Sequence, residues 1–231
     1  MTETLLDDLL VIDISRGVAG AYCCLLFRHL GADVVRAEAP GRSRSDDDAP
    51  SLHLDAGAKS ITLDAAQPEG AALLRRLADR ADVLIADGVL PPGLDYATLS
   101  AQNPRLVLTR VTPSSSNGDN LFAEYFAGLN AFAATLLPLV NMAILGRGQQ
   151  VEVGGAECVA AAAFLADDGR QEIQWPGPEG HETLPPAPFK MVGLAPLSPT
   201  PLPGEHNDEV YCGLLGLNGE EMAQLKDKSI I

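Results

Sequence analysis

Residues 9–37, LLVIDISRGVAGAYCCLLFRHLGADVVRA, decide the fold. Leu9 to Ile12 form an apolar run that ends in a polar residue, Asp13, before Ile14. That pattern suits a strand buried on both faces of a parallel sheet. Ser15-Arg16-Gly17-Val18-Ala19-Gly20 reads as a turn, and the apolar residues of AYCCLLFRHL then fall at helical spacing, with Gly31 placed to cap the helix. Residues 32–37 make a second strand, so the chain opens on a βαβ unit. Gly17-Val18-Ala19-Gly20 has the wrong spacing for G-x-G-x-x-G, so a dinucleotide fingerprint is a weak match.

The units that follow repeat the alternation. Residues 60–64 read as a strand, Pro68-Glu69 open an amphipathic helix with leucines on one side, and residues 82–86 and 105–111 read as strands around a short helix at 96–102. A strongly apolar helix follows a Ser/Gly/Asn/Asp-rich break at 114–120 and runs from Leu121 to the Gly146-Arg147-Gly148-Gln149 turn. QVEV at 150–153 alternates as a strand, and residues 156–166 read as an alanine-rich helix. The expected fold is α/β, a Rossmann-like, doubly wound, mostly parallel sheet with an extended C-terminal arm and terminal helices. Three regions are expected: a large domain at 1–166, a proline-rich arm at 167–203 carrying Trp175, and C-terminal helices at 204–231 that pack back on the large domain, the last of them started by Asn218.

Composition narrows the function. The chain has 231 residues, 46% hydrophobic and only 5% aromatic, and a net charge of −15. Such a balance argues against a nucleic-acid partner, so any phosphate site must be built locally. Cys23, Cys24, Cys158 and Cys212 have neither metal-ligand spacing nor a secreted disulfide pattern and read as reduced core residues. Asp46-Asp47-Asp48, beside Arg42 and Arg44, read as a solvated loop, and no metal is expected. The acidic N-terminus is unlike a signal peptide, and the longest apolar run, 131–145, is interrupted by Pro138 and Asn141 and too short for a bilayer. The expectation is a cytoplasmic protein with no membrane association.

Several segments resemble the family III CoA-transferases, the formyl-CoA transferase and carnitine CoA-transferase group that also contains the α-methylacyl-CoA racemases. These are VIDISRGVAGAYCCLLFRHLGADVVRAEAPG, LDAGAKSITLDAAQPEGAALLRRLADRADVLI, LDYATLSAQNPRLVLTRVT, LGRGQQVEV and LPGEHNDEVYCGLLGLNGEEMAQLKDKSII, in one order. The resemblance implies a Rossmann-like large domain, homodimers with interlocked subunits, coenzyme A as substrate, and covalent catalysis by a carboxylate that attacks an acyl-CoA thioester. The family's aspartate nucleophile stands in a G-D-x-x-A-G setting, and here the matching residues are Ala123-Glu124-Tyr125-Phe126-Ala127-Gly128. Glu124 is therefore the candidate nucleophile, its carboxylate carried roughly 1 to 1.5 Å further by the extra methylene. A plain structural role, offsetting the helix dipole for ~0.3–1 kcal/mol, is the competing reading.

Binding residues follow in the same way. Arg36 matches a basic residue that lies against the CoA adenine, Lys59 matches a basic position before the third strand, and Arg16-Gly17-Val18 at a helix start can receive phosphate or pantetheine through backbone donors. Departures from the family are also plain. Asp87-Gly88-Val89-Leu90-Pro91 replaces Asn-Phe-Arg-Pro-Gly, the glycine-rich loop after the fifth strand gives way to Thr112-Pro113-Ser114-Ser115-Ser116-Asn117-Gly118, and the small domain is absent. No histidine lies between His53 and His181, which counts against the racemase branch, and the G-x-S-x-G elbow of a serine hydrolase is missing. Two alternatives stay open: a repurposed isomerase, lyase or cyclase of a specialised pathway that no longer uses CoA, and a non-catalytic binding partner.

Overall fold

A computed structural model describes residues 4–41, 53–88, 90–112, 121–159 and 201–231. The helix expected at 156–166 lies mostly outside these residues, as do the 42–52 acidic loop, the 114–120 break and the arm at 167–203 up to its last three residues.

Six strands form one sheet in the order β3-β2-β1-β4-β5-β6, and every neighbouring pair is parallel. They are β1 (Leu10–Asp13), β2 (Asp33–Glu38), β3 (Lys59–Thr62), β4 (Val83–Asp87), β5 (Val107–Thr112) and β6 (Gln150–Gly154). Apolar residues at consecutive positions give β1, β2, β4 and β5 two buried sides, as the opening run predicts, whereas β6 at the edge alternates and leaves Gln150 and Glu152 exposed. Val11, Val34, Val83, Ile85, Val107 and Val153 point to one face, and Ile12, Val35, Ile61, Leu84 and Leu108 to the other.

The first face is covered by α1 (Val18–His29) and the long α4 (Leu121–Leu145). Gly31, at φ +98°, ends α1 in the left-handed conformation that a glycine takes without strain. Gly128 lets the two helices touch, because a Cβ there would stand 2.4 Å from the carbonyl oxygen of Ala19. Tyr22 meets Tyr125, and Phe27 meets Phe132, both edge to face at centroid distances of 4.8 and 4.9 Å. α4 runs unbroken through Pro138, so Leu121–Met142 is, by length and composition alone, apolar enough to cross a membrane. That corrects the shorter run read from the sequence. Here the helix packs on α1, β5 and β6.

The second face carries α2 (Pro68–Ala78), α3 (Tyr96–Gln102) and the chain's last segment, α5 (Asp208–Leu214, a π-helix) and α6 (Gly219–Asp227). Asn218 caps α6 in a reciprocal capping box with Glu221. This segment also closes the edge of the sheet. His206 Nδ1 accepts from Ser60 N–H at 3.1 Å, Asn207 Oδ1 accepts from Thr62 N–H at 2.8 Å, and Tyr211 donates to the Thr62 carbonyl at 2.7 Å. The open β3 edge thus has its donors satisfied by side chains instead of another strand.

Candidate functional site

A sheet of this order reverses winding direction between β1 and β4, and the crevice at the carboxyl ends of those strands is where ligands gather in doubly wound folds. α1 begins there. Its N-cap, Gly17, is extended at φ −92° and ψ 164° and has no side chain to offer the helix. The two amides just before the helix find an acceptor on β4. Asp87 Oδ2 accepts from both the Arg16 and the Gly17 amides, each at 2.7 Å. Asp13, at the end of β1, accepts from Ser15 N–H and Oγ at 2.8 and 2.6 Å and so shapes the turn leading into α1.

Glu124 lies on the first turn of α4, one turn before the Gly128 contact with Ala19. It is only 5% exposed. A carboxylate that merely offsets a helix dipole keeps its hydration, whereas burial of a charge is costly and is met in folded proteins where the charge has a specific task or partner. The flanking Ala123 and Ala127 are buried too, so the small residues around Glu124 bring this turn of α4 close to the core.

Arg36 is 3% exposed and turned into the fold. Its guanidinium stands 2.6 Å from Asp13, 3.1 Å from Asp55 and 3.9 Å from Glu38. Burial alone lowers its pKa, but Asp13, Asp55 and Glu38 outweigh that and hold it above the ordinary arginine value. Neighbouring Arg28, also buried, donates to the Leu54 carbonyl and fixes the turn that carries Asp55. The Arg36 charge is thus set among three internal carboxylates.

Lys59 is elsewhere. It starts β3 and faces the second side of the sheet, with Nζ 2.9 Å from Asp33 and 2.8 Å from Glu209 of α5. Partial burial lowers its pKa, but the hydrogen bonds to Glu209 and Asp33 outweigh that and leave it above the usual lysine value. It ties the C-terminal segment to the sheet, and so does not join the α1 and α4 residues. Of the backbone donors expected at Arg16-Gly17-Val18, Asp87 holds the Arg16 and Gly17 amides. The Arg16 side chain is exposed and in no ion pair among the described residues.

Of the residues named from the sequence, Glu124, Arg36 and the α1 turn lie on one side of the sheet and Lys59 on the other, and Asp87, Asp13 and Asp55 were not named as site residues. A carboxylate ending the strand next to β1 was the signal for Asp87. It was read only as part of the segment that lost an arginine. Cys23 and Cys24 are buried free thiols, pushed well up in pKa by burial and then by Asp13, and so are poor nucleophiles. No group of three or more metal-binding side chains occurs among the described residues.

Comparison with known proteins agrees with this architecture. The sequence profile of CoA-transferase family III matches residues 6–122, about half of the chain. Human α-methylacyl-CoA racemase is 28% identical over 216 residues, covering 78% of this chain and 55% of the racemase. Succinate–glutarate CoA-transferase of Agrobacterium fabrum is 29% identical over 171 residues, covering 65% of this chain and 42% of that enzyme. The chain thus spans about half the length of these curated relatives. Among solved structures, a CaiB/BaiF family protein from Brucella suis superposes with a TM-score of 0.63 at 26% identity, over 72% of this chain and 58% of that one. A hypothetical protein from Mycobacterium tuberculosis shares the fold at the same TM-score of 0.63 and 24% identity, over 71% of this chain and 57% of that one. With half of its sequence matched and its sheet shared, the chain belongs to CoA-transferase family III.

Proposed function

We propose that this protein processes an acyl-CoA or related acyl thioester, with Glu124 as the carboxylate that acts on it. The observation that carries the reading is the burial of Glu124, at 5% exposure, on the first turn of α4 beside α1. Family membership supplies the thioester chemistry. The Glu124 carboxylate attacks the thioester carbonyl and expels CoA thiolate, leaving a mixed anhydride. The thiolate returns to the glutamyl carbonyl, releasing the donor acid and forming an enzyme–CoA thioester. An acceptor carboxylate then displaces CoA from Glu124, and CoA takes the new acyl group and frees the side chain.

Arg16, exposed at the rim of the crevice, is the cation available to the phosphates of CoA. The reading includes a homodimer. α4 shows solvent an apolar stripe in which Leu137, Val140 and Ile144 are 71, 72 and 81% exposed, a surface that a second copy would cover. Free buried thiols suit the reducing cytoplasm as its compartment.

Incubation with a short acyl-CoA, trapping with borohydride or hydroxylamine, and peptide mass spectrometry test the proposal. Modification of the peptide bearing Glu124, lost in Glu124→Gln, is the expected result. Protein left unmodified across a panel of acyl-CoAs would overturn it.

A further inference from the structure

We infer that the turn at 53–58 is an acid-opened closure on the seam between α1 and α4: Arg28, Arg36 and the packing of Leu54 hold it shut, and a proton taken up by His53 beside Arg28 releases it. Its bearing on catalysis rests on the proposed function. The device itself rests on the packing of the turn.

The turn is fastened apart from the main cores. Leu54 packs with Ala21 and Leu25 of α1, and with Val18, Tyr22 and Tyr125 at the edge of that group, separately from the larger clusters on the two faces of the sheet. Tyr125 follows Glu124 on the first turn of α4, so the turn lies against the part of the seam that carries the candidate nucleophile. Arg28 donates to the Leu54 carbonyl, and Arg36 holds Asp55 at 3.1 Å. A segment fastened by a satellite cluster and by polar contacts can open as a unit while the sheet stays folded.

Charge sets when it opens. His53 Nδ1 and Arg28 Nε are both buried and make no hydrogen bond among the described residues. The ionisable groups beside His53 come from α1: Arg28, with His29 next to it, and neither is a carboxylate. Asp13, Glu38 and Asp55 stand around Arg36 instead, at 2.6, 3.9 and 3.1 Å. Once His53 is an imidazolium, its Nδ1–H is a buried donor without an acceptor, beside a guanidinium that already has one. Opening hydrates both. Burial first and Arg28 second hold the His53 pKa below its ordinary value. The contribution of His53 to closure is thus present in full above the open-state value, about 6.5, and is lost as pH falls through the closed-state value. His29, lowered by burial and then by Arg28 and His53, acts in the same direction.

Hydrogen exchange of the full chain, read at the Ala56 and Ala58 amides and corrected for the intrinsic pH dependence of exchange, tests this. These amides donate within the turn, to the His53 and Asp55 carbonyls at 3.4 and 3.1 Å. From about pH 7.5 to about pH 5 their protection should fall about tenfold or more, while the amides of β1 and β4 keep theirs. In His53→Gln most of that fall should disappear. Carbodiimide labelling of Glu124, compared at a single acid pH, should be severalfold faster in the wild type than in His53→Gln, since the open turn uncovers the seam. Protection that holds to about pH 5, a loss shared equally by β1 and β4, a variant that tracks the wild type, or equal labelling would each overturn the inference. If His53→Gln does not fold, as judged by its thermal transition, the wild-type contrast between the turn and the strands decides alone. No acyl-CoA enters these measurements, so an unmodified Glu124 in the acyl-CoA assay with the exchange contrast intact would refute the proposed function and leave this inference standing.

Discussion

The two faces of the sheet are held by different means. On the α1 and α4 side, charges are buried outright: Asp13, Glu38, Asp55 and Arg36 meet under the start of α1, and two helices touch backbone to backbone at Gly128. On the other side, α2, α3 and the C-terminal segment close an ordinary apolar core around Leu74, Leu77, Leu84 and Tyr211, with its charges left at the rim. Glu124, Arg16 and Asp87 all belong to the first side. Costly buried polarity and the candidate site therefore coincide, while the second side is built for cohesion.

The largest expected effect tests whether the buried charges hold the first face. Arg36→Met would leave three carboxylates facing each other in the interior and should cost ~3–5 kcal/mol in urea unfolding. A cost under about 1 kcal/mol would show that the cluster is hydrated and the contrast overstated. Next, Gly128→Val would drive a branched side chain into the Ala19 carbonyl and should cost about 2–3 kcal/mol while lowering any Glu124 labelling, because the α4 turn that carries it must move. Unfolding together with the labelling assay separates the two consequences.

A smaller effect depends on pH. His29 and His53 have pKa values lowered by burial first and then by the adjacent Arg28. A histidine whose folded pKa is lowered contributes stability in full above its unfolded value, about 6.5, and loses it as pH falls through the folded value. Stability should therefore decline from pH 7.5 toward pH 5, and the His29→Asn, His53→Gln double variant should flatten that decline. The smallest effect belongs to the second face. Lys59→Met removes a half-exposed ion-pair network and should cost only ~0.2–1 kcal/mol, measured alongside Arg36→Met. Equal costs for the two would erase the distinction between the faces.

Most of the fold was legible in the sequence because it rests on local rules. Apolar runs marked β1, β2, β4 and β5 to within two residues, and α3 was read at its observed bounds, Tyr96–Gln102. Gly31 and Asn218 signalled their helix ends through backbone conformation and capping chemistry. For the candidate site the sequence supplied residues and not their partners. Arg36 and Lys59 looked alike as cations at strand positions, and nothing in their neighbours told that one faces three interior carboxylates and the other a C-terminal helix.

By itself the sequence determined the alternation of strands and helices, the family, and the acid at the head of α4, because periodicity, turn residues and segment order are written along the chain. Tertiary structure alone decided what each charge does. Asp87 is 71 residues from Arg16, and Lys59 is 150 residues from Glu209, yet a carboxylate acts only on what lies within a few ångströms. Strand order set those distances. By placing β4 beside β1 it brought the Asp87 carboxylate against the Arg16 and Gly17 amides that lead into α1.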